Sequence, residues 1–210
     1  MSNFYREMKE WWQTGVYNRC VWMGCPIRKH PADIVVMQEL LLRTKPDLVI
    51  ECGTRDGGSA TFFVSVLRLL GGLDSHIITI DIRDKRHESF LKGPFSNFVH
   101  FIQGSSVDKS VVQKVKELSS PYKKIMVDLD SNHSYSHVSQ ELKIYSKFVT
   151  PGQYLICEDT CCDVYLGWKD GPHRAVVEFT QKNANFRVDK KCEKLIYTHN
   201  PDGYLVKVAV

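Results

Sequence analysis

The chain has 210 residues, of which 43% are hydrophobic and 25% are charged, and its formal net charge is +4. These values are typical of one ordinary globular domain, and the mixing of basic with acidic residues argues against a nucleic-acid-binding track. No apolar run reaches the length of a membrane span, and none of the seven cysteines forms a Cys-x-x-Cys pair. Without a visible signal peptide, we expect a cytoplasmic protein with reduced thiols and no zinc site.

The pattern of apolar residues in the N-terminal segment predicts two helices that precede the main sheet. An amphipathic helix is predicted over residues 2–13, with aromatic and methionine side chains at its apolar positions. Residues 21–31 contain two prolines and predict an irregular segment, and a helix is predicted over residues 32–43. We expect residues 1–45 to form a cap or lid on a single domain that covers residues 1–210.

Strands and helices then alternate along the chain. The predicted strands cover residues 47–51, 76–82, 98–103, 124–128, 154–158, 186–189 and 203–208. The predicted helices between them cover residues 60–70, 109–118, 137–148 and 173–182. Such alternation predicts an α/β fold with a mostly parallel, seven-stranded sheet, helices on both faces and a terminal antiparallel edge strand.

A glycine-rich loop follows the first predicted strand, in the pattern Glu51-x-Gly53-x-x-x-Gly57-Gly58. A dinucleotide-binding loop needs glycine where this chain has Arg55, and a P-loop needs a lysine after its second glycine. An ordinary glycine turn remains open as an interpretation. The remaining pattern resembles the first motif of class I S-adenosylmethionine-dependent methyltransferases, in which the loop glycines pass beneath the methionine part of the cofactor.

Polar residues end five of the predicted strands. They are Glu51, Asp81, Gln103 with the following Gly104-Ser105-Ser106, Asp128 with Asp130, and Glu158 with Asp159. Ligands of open α/β sheets bind beyond the carboxyl ends of the strands, although any single acid here is more simply a helix cap. The adjacent carboxylates of Glu158 and Asp159 repel each other, and together with Asp130 they offer three hard oxygen ligands to Mg²⁺.

His133 lies three residues after Asp130, in the same predicted loop. A histidine beside a bound cation is placed to take a proton from a substrate hydroxyl that the cation has acidified. A lone histidine is usually structural, but this position beside a candidate ligand favours a role as general base.

At the level of whole motifs the chain resembles the cephalosporin hydroxylase and rhamnosyl O-methyltransferase family. The matching motifs include Trp22-x-Gly24, Pro31-x-Asp33, Pro46-Asp47-Leu48-Val49-Ile50-Glu51-x-Gly53, Leu129-Asp130-Ser131-x-His133, Tyr154-Leu155-Ile156-x-Glu158-Asp159-Thr160 and Thr198-His199-Asn200-Pro201-x-Gly203-Tyr204-Leu205. The resemblance implies a Rossmann-like class I methyltransferase fold. It also implies an O-methyltransferase that uses S-adenosylmethionine and Mg²⁺ on a hydroxyl of a sugar, a glycan or a glycosylated small molecule.

The resemblance also implies roles for individual residues. The metal ligands would be Asp130, Glu158 and Asp159, with Asp128 as the alternative first ligand, and His133 would be the base. The cofactor residues would be Glu51, Gly53, Thr54, Gly57, Ser59, Asp81, Gly104, Ser105, Ser106 and Asp128. Within this set Asp81 would bind the ribose hydroxyls, and one of the two serines would meet the adenine.

Two other functions stay open at this point. An iron- and 2-oxoglutarate-dependent hydroxylase usually carries a His-x-Asp/Glu motif, yet none of the eight histidines is followed two places later by an acid. A non-catalytic cofactor-binding protein of the same fold is the other alternative. The sequence also leaves open whether the chain forms a homo-oligomer.

Overall fold

The computed structural model describes residues 3–72 and 74–208, so Ser2, at the start of the first predicted helix, lies outside the described residues. The helices are α1 (Asn3–Gln13), α2 (Pro31–Thr44), α3 (Gly58–Leu69), α4 (Glu88–Leu91), α5 (Lys109–Ser119), α6 (Tyr135–Tyr145), α7 (Cys161–Val164) and α8 (Pro172–Lys182). The strands are β1 (Val21–Trp22), β2 (Cys25–Pro26), β3 (Leu48–Cys52), β4 (His76–Asp81), β5 (Val99–Gln103), β6 (Ile125–Leu129), β7 (Tyr154–Cys157), β8 (Phe186–Val188) and β9 (Tyr204–Lys207).

The predicted α/β fold is confirmed. Seven strands form one sheet in the order β5-β4-β3-β6-β7-β9-β8, and the first five of these pair in parallel. Strand β9 is antiparallel to both of its neighbours, as predicted for a terminal strand, but it lies between β7 and β8, so that β8 and not β9 forms the edge. Strand β3 lies at the centre of the sheet. The chain first adds β4 and β5 on one side of β3 and later adds β6 and β7 on its other side, so the loops after β3 and β6 face each other at the carboxyl edge.

Alternate residues of the central strands face opposite sides of the sheet. Leu48, Ile50 and Cys52 of β3 pack with α5, α6 and α8, whereas Val49 packs with α2 and α3. This period of two, in strands whose residues are buried on both faces, is typical of a parallel sheet between two helical layers. The sheet and its two layers of helices form the core that fixes the strand ends.

The segment ahead of β3 is more ordered than predicted. Residues 21–26 form a two-stranded antiparallel ribbon, β1 with β2, where an irregular segment was expected. Helix α1 lies on the short helix α7 and buries Met8 against Cys161 and Cys162. The helices α4 and α7 were not predicted. Each has only four residues, which is too short for a helical periodicity of apolar residues to be recognised.

The glycine loop packs against protein at two points. A Cβ atom on Gly53, whose φ is +105°, would lie 2.0 Å from the backbone oxygen of Asp130, and a Cβ on Gly58 would lie 2.1 Å from the backbone oxygen of Pro26. The absence of a side chain at these positions lets the loop after β3 touch both the loop after β6 and the β1–β2 ribbon.

No helix among the described residues is long and apolar enough to cross a membrane.

Replacing Gly53 by alanine tests this close packing. Gly152 provides a matched control, since its φ is +79° but nothing lies within 4 Å of its added Cβ. We expect Gly152→Ala to cost about 1 kcal/mol of unfolding free energy from backbone strain, and Gly53→Ala to cost at least about twice that because the loops must also separate. Urea denaturation measures both values, and equal losses would contradict the proposed contact.

Candidate active site

The loops at the carboxyl edge of the sheet are joined by backbone hydrogen bonds. The N–H of Gly53 donates to the oxygen of Ile80 (2.8 Å), and the N–H of Asp130 donates to the oxygen of Cys52 (2.8 Å). The N–H of Glu158 likewise donates to the oxygen of Leu129 at 3.0 Å. Each strand end therefore places the loop of its neighbour, and the acids predicted at β3, β6 and β7 lie side by side.

A buried lysine lies among three of these acids. The Nζ atom of Lys29 is 3.2 Å from Oδ2 of Asp128 and 3.1 Å from Oδ2 of Asp130, and it also bonds Oε1 of Glu158. The side chain of Lys29 is only 2% exposed. Burial alone would lower the pKa of Lys29, but the three carboxylates raise it well above its usual value, so the side chain is a cation.

His133 contacts two of the predicted metal ligands. Its Nε2 atom is 3.2 Å from Oδ2 of Asp159 and 3.9 Å from Oδ1 of Asp130. The ligand-type atoms of these three residues lie within 4.8 Å of one another. Glu158 does not join this group because its carboxylate is held by Lys29. The three acids predicted to bind one ion thus lie side by side. Glu158 contacts Lys29, Asp159 contacts His133, and Asp130 contacts both.

Asp159 adopts a backbone conformation that side-chain-bearing residues rarely take, with φ at +56°. Its N–H donates to Oδ1 of Asn200 (2.9 Å), and its Oδ1 is 3.6 Å from Nδ1 of His199. Burial would raise the pKa of Asp159, but His133 and His199 outweigh that effect and lower it. The residue is therefore held as a carboxylate that points toward His133.

A buried aspartate on α2 holds the segment that supports Asp159. The carboxylate of Asp33 accepts hydrogen bonds from the hydroxyl of Thr198, the N–H of His199 (2.9 Å) and the hydroxyl of Tyr204 (2.8 Å). Asp33 is 2% exposed. Because this carboxylate fixes the backbone at residue 199, it also fixes the adjacent Asn200, whose side chain accepts the hydrogen bond from the Asp159 N–H.

The glycine loop contains a buried acid with an unsatisfied oxygen. Oε2 of Glu51 accepts from the hydroxyl of Thr79, whereas its Oε1 has no partner among the described residues. The hydroxyl of Thr54 also bonds Thr79 at 2.6 Å. Burial raises the pKa of Glu51 to about 8, and Lys29 together with bonds from Ser59 and Thr79 opposes that rise. A buried carboxyl with a free oxygen fits a polar group of a ligand at this loop.

The other predicted cofactor residues differ in how far their polar groups are used. Both oxygens of Asp81 accept backbone N–H groups, from Arg55 (2.8 Å) and Arg83 (3.0 Å). The hydroxyl of Ser106 donates to Oε1 of Glu141 at 2.5 Å and is buried, so its side chain faces α6 and not the crevice. Ser105 is the more accessible of the two serines.

Aromatic side chains pack around His199, the histidine that contacts Asp159. The ring of His199 lies 5.7 Å from that of Trp11, 5.8 Å from that of Trp12 and 4.7 Å from that of His30. The indole nitrogens of Trp11 and Trp12 and Nε2 of His199 are buried and have no hydrogen-bond partner among the described residues. This aromatic cluster, Trp11, Trp12, His30 and His199, therefore contains buried polar groups without a partner in the part of the chain that the structure describes.

Three residues of the site had no predicted role, namely Lys29, Asp33 and His199. The sequence carries a signal for two of them, since Asp33 and His199 fall within motifs that support the resemblance, but a motif alone does not say what its side chains contact. Lys29 precedes the Pro31-x-Asp33 motif in a segment without regular periodicity. Its partners lie 99 to 129 residues away, beyond the range of any local pattern.

A groove of about 650 Å³ lies elsewhere, between α6 and α8. Tyr135, Lys143, Phe179 and Lys207 are among its lining residues, and none of the predicted site residues lines it.

The donor set at the strand ends fits a divalent cation. Asp130, Glu158 and Asp159 present hard carboxylate oxygens at neighbouring strand ends, and 26% of the Asp130 side chain is exposed, which gives an ion access. Two groups of ligand-type side chains occur in the part of the chain that the structure describes, and neither contains two histidines. The geometry therefore does not favour the two-histidine, one-carboxylate site of the hydroxylase alternative.

Comparison with known proteins identifies the family. The family model described as "Rhamnosyl O-methyltransferase/CmcI" matches residues 14–208. A protein named "Rhamnosyl O-methyltransferase" from Mycobacterium tuberculosis (strain ATCC 25618 / H37Rv) is 31% identical, with 91% of this chain and 80% of that protein covered. A protein of the same name from Mycobacterium leprae (strain TN) is 30% identical, with 91% and 85% covered.

The fold has solved counterparts as well. A structure described as "cmcI-D160 Mg-SAM" superimposes with a TM-score of 0.73 at 20% identity, covering 91% of this chain and 78% of that one. The mostly parallel seven-stranded sheet with a reversed β9 is thus a class I methyltransferase fold, as predicted.

The fold and the family matches define the chain as an O-methyltransferase. More particularly, it belongs to the Rhamnosyl O-methyltransferase/CmcI family. Both the predicted family and the predicted class of enzyme are confirmed.

The raised pKa of Glu51 predicts a pH-dependent stability. Between its ordinary value of 4.5 and about 8, the folded protein holds a proton that the unfolded chain releases, so the free energy of unfolding falls as pH rises through this window. We expect Glu51→Gln to make that fall smaller, because an amide cannot ionise. Denaturant unfolding at pH 5, 6, 7 and 8 measures the slope, with Glu117→Gln on the surface of α5 as control. Slopes for Glu51→Gln and wild type that agree would show that Glu51 is not the group responsible.

Proposed function

We propose that this chain transfers a methyl group from S-adenosylmethionine to a hydroxyl of a sugar, with the help of a divalent cation. The observation that carries the proposal is the position of His133, 3.2 Å from Asp159 and 3.9 Å from Asp130 at the carboxyl edge of the sheet. A base beside two candidate ligands is the arrangement needed to remove a proton from a hydroxyl.

The cofactor is assigned to the loop between β3 and α3 and to the ends of β4 and β5. The free Oε1 of Glu51 supports this assignment, as does the name "cmcI-D160 Mg-SAM" of a structural neighbour. Asp81 and Ser105 are the nearest candidates for the ribose and adenine, whereas the bond from Ser106 to Glu141 favours a supporting role for Ser106. Bound in this loop, S-adenosylmethionine supplies an electrophilic methyl group.

The cation is assigned to the carboxylates of Asp130, Glu158 and Asp159. All three are hard oxygen donors, as Mg²⁺ prefers, and Asp128 remains the alternative first ligand. The chemistry that such a cation supplies is to lower the pKa of a nearby acceptor hydroxyl.

His133 is assigned as the general base, whose imidazole receives the proton of the acceptor hydroxyl. The Asp159 carboxylate, 3.2 Å away, stabilises the imidazolium that results and holds the ring in place. The hydrogen bond that the Asp159 N–H donates to Asn200, and those that residues of the 198–204 segment donate to Asp33, keep this carboxylate oriented. Positioning of the acceptor oxygen against the methyl group supplies much of the remaining rate enhancement.

A sugar is the acceptor class that the surroundings of Asp159 favour. The aromatic cluster provides flat apolar ring faces beside His199, which contacts Asp159. Two relatives at 30% and 31% identity are named for rhamnosyl methylation. The names of these relatives support a sugar hydroxyl over a catechol as the acceptor.

The test is methyl transfer from labelled S-adenosylmethionine to methyl α-L-rhamnopyranoside, other methyl hexosides and catechol, each with Mg²⁺ and with EDTA. We expect Mg²⁺-dependent labelling of a sugar. His133→Ala should lower kcat by about 10²- to 10⁴-fold and leave cofactor binding unchanged, because a general base acts only in the chemical step. His100→Ala, an exposed histidine on β5, is the matched control.

Three results would contradict the proposal in different places. Unchanged kcat in His133→Ala would remove the base assignment. Labelling of catechol alone would remove the sugar acceptor. Cofactor binding without transfer to any acceptor would favour the non-catalytic alternative.

A further inference from the structure

Lys29 supplies a positive charge where the proposed cation ligands converge. Its ammonium group bonds Asp128, Asp130 and Glu158, and the side chain is 2% exposed. Two of these three carboxyl groups belong to the proposed ligand set.

The ammonium group of Lys29 and a bound divalent cation compete for the same carboxylate oxygens. A divalent ion that takes Glu158 as a ligand must compete with Lys29 for that carboxylate, and two positive charges at contact distance repel each other in a buried site. Asp130 differs from Glu158 in this respect. Its Oδ2 faces Lys29, while its Oδ1 faces His133, so one oxygen is already turned toward the catalytic side.

The structure also offers Lys29 an alternative position. Oδ1 of Asp128 is buried and has no hydrogen-bond partner among the described residues, while Oδ2 of the same carboxylate is 3.2 Å from the ammonium group. A small movement of the flexible lysine side chain toward Asp128 satisfies that oxygen and releases Glu158.

We propose that Lys29 is a positioning residue that holds the ligand carboxylates together in the cation-free protein and yields Glu158 to the divalent cation when it binds. This inference rests on the proposed cation site. It gives Lys29 two opposite effects, since the lysine stabilises the empty site and weakens the binding of the cation that replaces it.

The test uses Lys29→Met, which keeps most of the length of the side chain and removes its charge, with Lys147→Met in the exposed turn after α6 as matched control. Isothermal titration calorimetry with MgCl₂ measures affinity, and thermal unfolding with and without MgCl₂ measures stability. We expect Lys29→Met to have a lower Tm without Mg²⁺, a larger rise in Tm on adding it, and a Kd for Mg²⁺ at least tenfold lower than that of wild type. Lys147→Met should match wild type in all three.

A second measurement uses the wild-type protein, in case Lys29→Met does not fold. A buried, hydrogen-bonded ammonium group exchanges its protons slowly, so ¹H–¹⁵N NMR can observe the Nζ group of Lys29, assigned by its loss in Lys29→Arg. We expect this signal to shift as MgCl₂ is added.

The outcomes separate this inference from the proposed function. A Kd in Lys29→Met equal to or higher than that of wild type, or an Nζ signal unmoved while Mg²⁺ binds, overturns the role of Lys29 and leaves the cation site intact. Mg²⁺ binding by Lys29→Met but not by wild type supports the role. Absence of binding in both proteins overturns the cation site itself.

Discussion

A buried positive charge ties together the edge of the sheet on which the candidate chemistry depends. Lys29 lies ahead of α2, yet it bonds carboxyl groups at the ends of two neighbouring strands, β6 and β7. Leaving such carboxylates buried and unpaired costs several kcal/mol, so the N-terminal segment and the central strands are energetically coupled. The loops after β3 and β6 can approach because Gly53 has no side chain to meet Asp130. The site is thus a property of the whole edge and not of one loop.

A second set of hydrogen bonds carries the same coupling to the C-terminal part of the chain. The reversed strand β9 is preceded by a segment that touches the loop after β7 through Asn200 and His199. Asp33 on α2 fixes this segment with three hydrogen bonds. The strained φ of Asp159 is maintained by these contacts, which come from opposite ends of the sequence. The left-handed backbone of Asp159 costs local stability, and in return it directs the carboxylate toward His133.

Much of the fold follows from local pattern, and much of the site does not. The strands of the sheet were predicted to within two residues at each end because buried β-branched runs between helical patterns are a local signal. The proximity of His133 to Asp130 was predictable from their spacing in one loop. The separation of Glu158 from the other two acids was not predictable, because its carboxylate bonds Lys29, which lies 129 residues earlier in the chain. The direction of Ser106 toward Glu141 is also a tertiary contact that spacing cannot reveal. The sequence therefore predicts which groups reach the edge, and packing decides which of them meet.

The most direct test of the whole account is the position of a divalent cation in crystals soaked with MnCl₂, in which Mn²⁺ stands in for Mg²⁺ and is located by its anomalous scattering. We expect one strong peak within about 2.5 Å of carboxylate oxygens of Asp130, Glu158 and Asp159, with Lys29 moved toward Asp128. A peak elsewhere in the protein, or no peak at the carboxyl edge at saturating Mn²⁺, would contradict the assignment of these acids and the mechanism built on them.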